Sequence, residues 1–308
     1  YYGGPGLKYE SKVEEIYSSK YGDTELDSKE IKVKQNSNKD NNVEIKYAKA
    51  QIKVTAYTKS TKQVVIGLYD RDGKLIEEKN GCNVEFNLDK ARLWDGLCDP
   101  YMYKIKAKIK KSTTVLDEIE CNCGIRTFEF SPKDGFHLNG RAYPLYGVSR
   151  HQDYKVLGNA ITTKHHDNDM AIIKEVGANT IRLAHYQHDQ YFYDLCDKEG
   201  MIVWAEIPYI SEHLANGDVN TVTQMTELIT QNYNHPSIVT WGVSNEITIS
   251  GRKQRSNMLD NHRMLNELCH KLDETRPTTL ACYAVCHPFH PVSKITDLVG
   301  WNLYLGWY

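Results

Sequence analysis

The chain has 308 residues, of which 40 are acidic and 38 basic, and its formal net charge is −2. This balance offers no electrostatic attraction to nucleic acid or to an anionic membrane surface, so we expect neither partner. No apolar run approaches the roughly 18 residues that a membrane-spanning helix needs. The length suits about two domains. Because the first residue is Tyr1 and not Met, we expect the sequence to begin inside a longer protein.

The eight cysteines are scattered without the spacing of a disulfide scaffold. Cys196, Cys269 and Cys282 fall in predicted helices or strands and are expected to be buried thiols, which favours a reducing compartment, the cytoplasm. One loop holds ligand types that zinc prefers, in the order Cys282-x3-Cys286-His287-x2-His290. This spacing matches no familiar finger pattern, so we favour an ordinary loop over a zinc site.

Short strands with alternating apolar residues dominate from about residue 30 to residue 125. The clearest covers residues 101–110, whose apolar side chains share one face while lysines fill most of the other. Residues 70–73 predict a tight turn between strands at 64–69 and 74–78. This rhythm predicts an antiparallel β-sandwich of immunoglobulin type over residues 1–127.

From residue 143 onward, predicted strands alternate with predicted helices. The strands are expected at residues 143–148, 180–184, 201–205, 238–243, 278–283 and 298–303. In the first helix, Met170, Ile173 and Val176 share a face, and Gly177 is expected just after the last turn. The third helix is expected to begin at Asn220 as its N-cap. These alternating segments predict repeated strand–helix units.

Repeated strand–helix units imply right-handed crossovers and a parallel sheet. A Rossmann-like sheet is the structural alternative, but no Gly-x-Gly-x-x-Gly motif opens the first helix. We therefore predict a multidomain chain in which the sandwich is followed by a truncated (β/α)8 TIM barrel at residues 128–308, with about six of the eight strands. The first and sixth strands would expose unpaired edges, so we expect a longer native protein or pairing with another chain.

Polar residues follow five of the six predicted strands, and the carboxyl ends of barrel strands meet on one face. In strand order these residues are His151 and Asp153, Arg182 and His185, Glu206, Asn245 and Glu246, and finally Asn302 and Tyr304. Each buried polar group needs a hydrogen-bond partner. Polar residues at five strand ends are therefore hard to explain by stability alone. Cleaving a glycosidic bond calls for carboxyl groups, directional hydrogen bonds and flat aromatic faces. The composition thus points to sugar hydrolysis.

Residues 234–246 read Asn-His-Pro-Ser-Ile-Val-Thr-Trp-Gly-Val-Ser-Asn-Glu, a turn followed by a buried strand that ends at Asn245-Glu246. This stretch resembles the acid/base signature of glycoside hydrolase family 2, the family of β-galactosidases, β-glucuronidases and β-mannosidases. Residues 147–153, 179–186 and 302–308 resemble other barrel segments of that family. Gly158-Asn-Ala with His185-Tyr-Gln-His resembles bacterial β-galactosidases in particular.

The resemblance implies roles for the strand-end residues. Glu246 would be the catalytic acid/base, Asn245 would bind the sugar 2-OH, and Tyr304 would hydrogen-bond the nucleophile. Glu206 would be a supporting residue. Substrate-binding roles are implied for His151, Asp153, Arg182, His185, Asn245, Asn302 and Tyr304.

The sequence departs from the family pattern in two places. The family's nucleophile is a glutamate at the end of a later barrel strand, and the sequence stops at Tyr308 before such a strand. We therefore expect residues 1–308 alone to be inactive. The resemblance implies no required cofactor. Some of the family's β-galactosidases bind Mg2+ through Glu-x-His after strand three, but here Glu212-His213 is an adjacent pair. A metal-free carboxylate cluster is thus favoured over a Mg2+ site.

The leading hypothesis is a retaining exo-β-galactosidase that hydrolyses terminal β-D-galactosyl residues. Its partner would be a carbohydrate substrate, and a homo-oligomer stays open. One alternative is β-glucuronidase or β-mannosidase activity on the same scaffold. Another is a non-catalytic carbohydrate-binding or scaffold fragment, which would have no physical need for the strand-end residues.

Overall fold

The computed structural model describes residues 6–20, 44–214, 216–247 and 255–306. Two antiparallel sheets form the first part of the chain. One sheet has the order β1-β2-β5, from Leu7–Lys20 (β1), Glu44–Ala56 (β2) and Asn83–Arg92 (β5). The other has the order β4-β3-β6-β7, from Gln63–Tyr69 (β3), Leu75–Asn80 (β4), Tyr103–Lys111 (β6) and Thr114–Cys123 (β7). The predicted sandwich is confirmed.

Alternation of apolar and polar residues is clearest in strand β6 of this sandwich. In β6, Tyr103, Ile105 and Ala107 are buried, whereas the intervening lysines are half-buried. The buried faces of the two sheets enclose one core with Phe86 and Ile66 at its centre. Burial of apolar surface between two sheets is the main stabilising term for such a fold.

A small antiparallel sheet joins the sandwich to the second part. It consists of Phe128–Ser131 (β8), Gly135–Leu138 (β9) and Arg141–Ala142 (β10). Trp94 is fully buried at this junction, and its Nε1 donates to the carbonyl of Asp197 at 2.8 Å. Arg126 donates to the carbonyls of Pro236 and Ile238. The sandwich is therefore fastened to the amino-terminal end of the following sheet.

The second part is a six-stranded parallel sheet with the order β11-β12-β13-β14-β15-β16. Its strands are Gly147–Arg150 (β11), Thr180–Leu183 (β12), Ile202–Glu206 (β13), Ile238–Asn245 (β14), Thr278–Tyr283 (β15) and Leu298–Asn302 (β16). Four helices lie between them: Thr163–Glu175 (α1), Gln190–Glu199 (α2), Gly217–Asn232 (α3) and Arg255–Leu272 (α4). Six consecutive parallel strands confirm the truncated barrel. Among the described helices, none is long and apolar enough to cross a membrane.

Three local predictions were wrong. Strand β11 starts at Gly147 and not at 143, because Pro144 has no N–H to donate and Tyr143 packs into the junction core. Helix α3 begins at Gly217 after Asn216, and Asn220 lies inside its first turns. Val176 is 66% exposed, because it caps α1 where the helix leaves the core.

Candidate active site

Arg182 is the centre of a hydrogen-bond network at the carboxyl ends of the parallel strands. In β12, Ile181 and Leu183 face the helices, so the alternation of the strand turns Arg182 into the barrel interior. Its guanidinium donates to both carboxylate oxygens of Glu206, at 3.2 and 3.1 Å, and to Oδ1 of Asn245 at 2.7 Å. It also donates to Oδ1 of Asn302 at 3.0 Å. One side chain therefore joins the ends of four strands.

Glu206 is completely buried at the end of β13. Besides Arg182, its carboxylate accepts a hydrogen bond from Nδ1 of His185 at 2.7 Å. A buried carboxylate is tolerated when it is paired and hydrogen-bonded, and Glu206 has both kinds of partner. Its oxygens are thus engaged in holding Arg182 and His185, which fits the supporting position expected for it.

A register shift in β14 brings Asn245 into the same network. The shift lies between Gly242 and Asn245, where β14 pairs with β15. As a result Ser244 faces outward and donates to Nε2 of His262 on α4, at 2.8 Å, while Asn245 faces Arg182. Bulges of this kind redirect a side chain next to active sites.

Glu246 follows β14 with a backbone φ of 52°, in the left-handed region that non-glycine residues seldom occupy. Its N–H donates to the carbonyl of Ala281, and its Oε1 accepts a bond of 2.8 Å from Nδ2 of Asn302. The same Nδ2 also donates to Oδ1 of Asn245 at 3.0 Å. Glu246 is half-buried, and within the described part of the chain its carboxyl group accepts a hydrogen bond from an amide. Unfavourable φ values of this kind cluster at functional sites.

His151 lies at the rim of the network. Its ring meets that of His185 edge-on, with the ring centroids 5.1 Å apart, and it is exposed. The preceding residue, Arg150, is buried and donates to Asp169 and to Nδ1 of His188. Burial, together with the charge of Arg150, lowers the pKa of His188 to about 3, so the ring is neutral and can accept that bond. Arg150 therefore fixes the end of β11 from behind His151.

The structure brings most of the predicted site residues together. The hydrogen-bonded set is Arg182, His185, Glu206, Asn245, Glu246 and Asn302. Asp153 is exposed in the loop after β11 and contributes none of these bonds. Tyr304 is 49% exposed, two residues beyond the end of β16. The individual roles in substrate binding stay predictions.

Two family models match the chain. One, described as glycosyl hydrolases family 2, TIM barrel domain, matches residues 132–308. The other, described as glycosyl hydrolases family 2, matches residues 16–126. The chain belongs to glycosyl hydrolases family 2. The predicted family is thereby confirmed.

Relatives within family 2 carry two different activities in their names. A β-glucuronidase of Bacteroides fragilis is 38% identical over 251 residues, covering 77% of this chain and 35% of that protein. A β-galactosidase of Thermoanaerobacterium thermosulfurigenes is 32% identical over 231 residues, covering 74% and 31%. The crystal structure of an FMN-binding β-glucuronidase from Facaelibacterium prausnitzii matches with a TM-score of 0.85 and 37% identity, covering 100% of this chain and 44% of that one. The chain spans about a third of the length of these curated relatives.

Glu212 and His213, the pair considered for Mg2+, differ in burial. Glu212 is exposed, whereas His213 is buried and its Nδ1 accepts a bond of 2.6 Å from the hydroxyl of Tyr209.

Among the described residues, one group of three could surround an ion, and it consists of Asp194, Asp197 and His235 near the junction. There Asp197 already accepts from His235 at 2.6 Å and from the N–H of Ser237. These bonds explain that cluster as part of the domain junction.

The two histidines of the loop after β15 hydrogen-bond to its backbone. Nδ1 of His287 accepts from the N–H of Phe289, and Nδ1 of His290 accepts from the N–H of Val292, where it caps a short 3-10 helix. Both rings therefore serve the backbone of the loop. Cys282 and Cys286 are buried free thiols.

Sequence reasoning missed two residues that shape the site. Trp204 lies two residues before Glu206, and Arg150 directly precedes His151. Alternation along β13 could have placed Trp204 on the same face as Glu206. No sequence pattern identifies the partners of Arg150, because Asp169 and His188 come from separate segments of the chain.

Proposed function

We propose that this chain carries the acid/base half of the active site of a retaining β-glycosidase. The single observation that carries the proposal is the hydrogen-bonded set around Glu246, built from the ends of β12, β13, β14 and β16. Glycoside cleavage requires a carboxyl group that first gives and later takes a proton. Because Oε1 of Glu246 accepts from Asn302, Oε2 is the oxygen left to exchange a proton with the substrate.

In the proposed reaction, Glu246 protonates the glycosidic oxygen while the bond from that oxygen to the anomeric carbon breaks. A second carboxylate attacks the anomeric carbon and forms a glycosyl ester. Water then attacks the same carbon, Glu246 removes its proton, and the ester carboxylate leaves. Glu206 is unsuited to be that second carboxylate, because it is completely buried against Arg182 and His185. We therefore assign the nucleophile to a carboxyl group other than Glu206.

The first candidate substrate is a terminal β-D-glucuronide. Two relatives support it, the β-glucuronidase of Bacteroides fragilis at 38% identity and the structure of the Facaelibacterium β-glucuronidase at 37%. The second candidate, a terminal β-D-galactoside, is the leading expectation from the sequence and is supported by the 32% identical β-galactosidase. The cytoplasmic location and the homo-oligomer stay predictions, the first supported by eight free cysteines.

The test is a comparison of kcat/KM for the 4-nitrophenyl glycosides of β-D-glucuronic acid and β-D-galactose, using the protein as its gene encodes it. A site that pairs with the sugar carboxylate should prefer the glucuronide by at least about 10³-fold, because its polar groups would lose their partner with galactose. The opposite ratio would assign the galactosidase activity. Turnover of neither glycoside, in a protein that is folded, would contradict both candidate substrates.

A further inference from the structure

Trp204 lies directly beneath the hub of the active-site network. The Cζ atom of Arg182 stands 4.4 Å from the centroid of the Trp204 ring, so the guanidinium stacks on the indole face. Trp204 and Glu206 are two residues apart in β13 and share the interior face of the sheet. The indole ring therefore packs against one face of the Arg182 guanidinium, whose N–H groups bind Glu206, Asn245 and Asn302.

Two glycines on other strands make room for this ring. A Cβ at Gly242 in β14 would lie 2.5 Å from Nε1 of Trp204 and 2.5 Å from Cβ of Glu206. A Cβ at Gly300 in β16 would lie 3.3 Å from Cη2 of Trp204. The first of these distances is too short for any side chain, so a residue larger than glycine at 242 would force the indole to move. The ring position is thus built into two further strands.

No hydrogen bond explains why the ring is there. Within the described part of the chain, the buried Nε1 of Trp204 has no acceptor. Buried donors without partners are rare, and they call for a reason other than their own stability. Contact with the guanidinium, Gly242 and Gly300 is what holds the ring.

We propose that Trp204 is a positioning residue for the acid/base group, an inference that rests on the function proposed above. The flat ring restricts the plane of the Arg182 guanidinium and so presets the directions in which its N–H groups point. Those N–H groups orient Asn302, which holds Oε1 of Glu246, and they also bind Asn245 and Glu206. A tilt of the guanidinium would therefore displace three residues of the site at once, which is a larger disturbance than the loss of Asn302 alone. Loss of the ring would let Arg182 tilt, and Glu246 would lose its alignment without losing any direct contact to Trp204.

The test compares Trp204→Leu with Trp204→Phe in the protein as its gene encodes it. A misplacement of about 1 Å can cost about 10²-fold in rate, so Trp204→Leu should lower kcat by about 10²-fold while KM changes less than about threefold. Trp204→Phe keeps a flat face and should recover most of kcat, to within about tenfold of wild type. The matched control is Trp301→Leu on β16, whose Nε1 donates to the carbonyl of Cys286 on the other face of the strand. The kcat of Trp301→Leu should be unchanged. The unfolding midpoint is measured for all three variants, so that a loss of stability can be told from a loss of kcat.

Equal losses in Trp204→Leu and Trp204→Phe, or a Trp301→Leu loss as large as that of Trp204→Leu, would overturn the positioning role. Crystal structures of wild type and Trp204→Leu separate this inference from the proposed function. If Arg182 keeps its bonds to Glu206 and Asn245 in Trp204→Leu, the positioning role is wrong whatever the activity. If Arg182 turns away in the Trp204→Leu crystal and the wild-type protein cleaves neither glycoside, the positioning role stands and both candidate substrates fail.

Discussion

Two arginine networks lie at opposite ends of the parallel sheet, and each arginine packs near a tryptophan. Arg276, at the amino-terminal end, is 4% exposed and pairs with Asp273 at 2.7 Å. Its remaining N–H groups donate to main-chain carbonyls, those of Tyr233, His235 and Ile238. The neighbouring Trp241 is anchored as well, because its Nε1 donates to Asp273 at 2.9 Å.

The Arg182 network has a different kind of partner. The bonds of Arg182 go to side chains, those of Glu206, Asn245 and Asn302. Its tryptophan, Trp204, is held by packing. Bonds to main-chain carbonyls fix the path of the chain, whereas bonds to side chains fix the directions of other functional groups. We therefore expect the Arg276 network to serve stability and the Arg182 network to serve activity.

The largest expected effect is on stability, from Arg276→Met. Removing one partner of a buried ion pair leaves the carboxylate of Asp273 unpaired, which should cost about 3–5 kcal/mol in the free energy of unfolding. Urea unfolding followed by circular dichroism measures this loss. The residual folded enzyme should keep the kcat of wild type. A selective loss of kcat with unchanged stability would contradict the stabilising role of Arg276.

Arg182→Lys should have the opposite signature. A lysine keeps the charge but cannot form the fork that reaches Glu206, Asn245 and Asn302 together, so kcat should fall by about 10²-fold. Its unfolding midpoint should move far less than that of Arg276→Met, since Glu206 keeps a positively charged partner. Steady-state kinetics and urea unfolding on the same samples check both statements.

Part of the pH dependence of stability should come from Asp273, which pairs with Arg276. Burial alone would raise the pKa of Asp273, but Arg276 and the bonds from Thr275 and Trp241 outweigh it and lower the pKa to about 2. A lowered carboxyl pKa stabilises the fold above the unfolded value near 3.8, and this contribution disappears as pH falls from about 4 to about 2. The expected loss is about 2 kcal/mol. The difference in unfolding free energy between wild type and Asp273→Asn should shrink over this range, and a constant difference would refute the assignment.

The smallest expected effect comes from Asn302→Ala. This change removes the amide that donates to Oε1 of Glu246 and bridges to Asn245. One such hydrogen bond is worth about 1 kcal/mol, so kcat should fall by about tenfold or less. The matched control is Asn261→Ala, an asparagine buried between helices α3 and α4 and away from the network. An equal loss of kcat in the control would show that Asn302 is not specific to the site.

Most of the fold could be predicted from the periodic spacing of apolar residues in the strands and helices. The alternation of apolar and polar residues identified the buried face of the strand that contains Ile105. The apolar spacing of the first helix correctly predicted its end before Gly177, which has a positive φ. The start of β11 was wrong, because Tyr143 packs into a junction that involves distant segments. A local pattern cannot report such a contact.

Strand ends also predicted the members of the network, because parallel strands bring their carboxyl ends to one face. The sequence could not predict the register shift that turns Asn245 inward and Ser244 outward. Nor could it predict the ring of Trp204 beneath Arg182, since that contact depends on glycines in two other strands. Local periodicity predicts which face a residue occupies, but contacts across the barrel depend on the assembled sheet.

The central claim is that Glu246 gives and takes the proton, and rescue of Glu246→Ala by azide tests it most directly. A substrate with a poor leaving group should lose about 10²–10⁴-fold in kcat/KM, because that group needs the proton. A substrate with a good leaving group should lose far less in kcat/KM. Azide needs no general base, so it should attack the anomeric carbon of the glycosyl ester, restore turnover and yield a β-glycosyl azide. Equal losses for both substrates and no azide product would contradict the account.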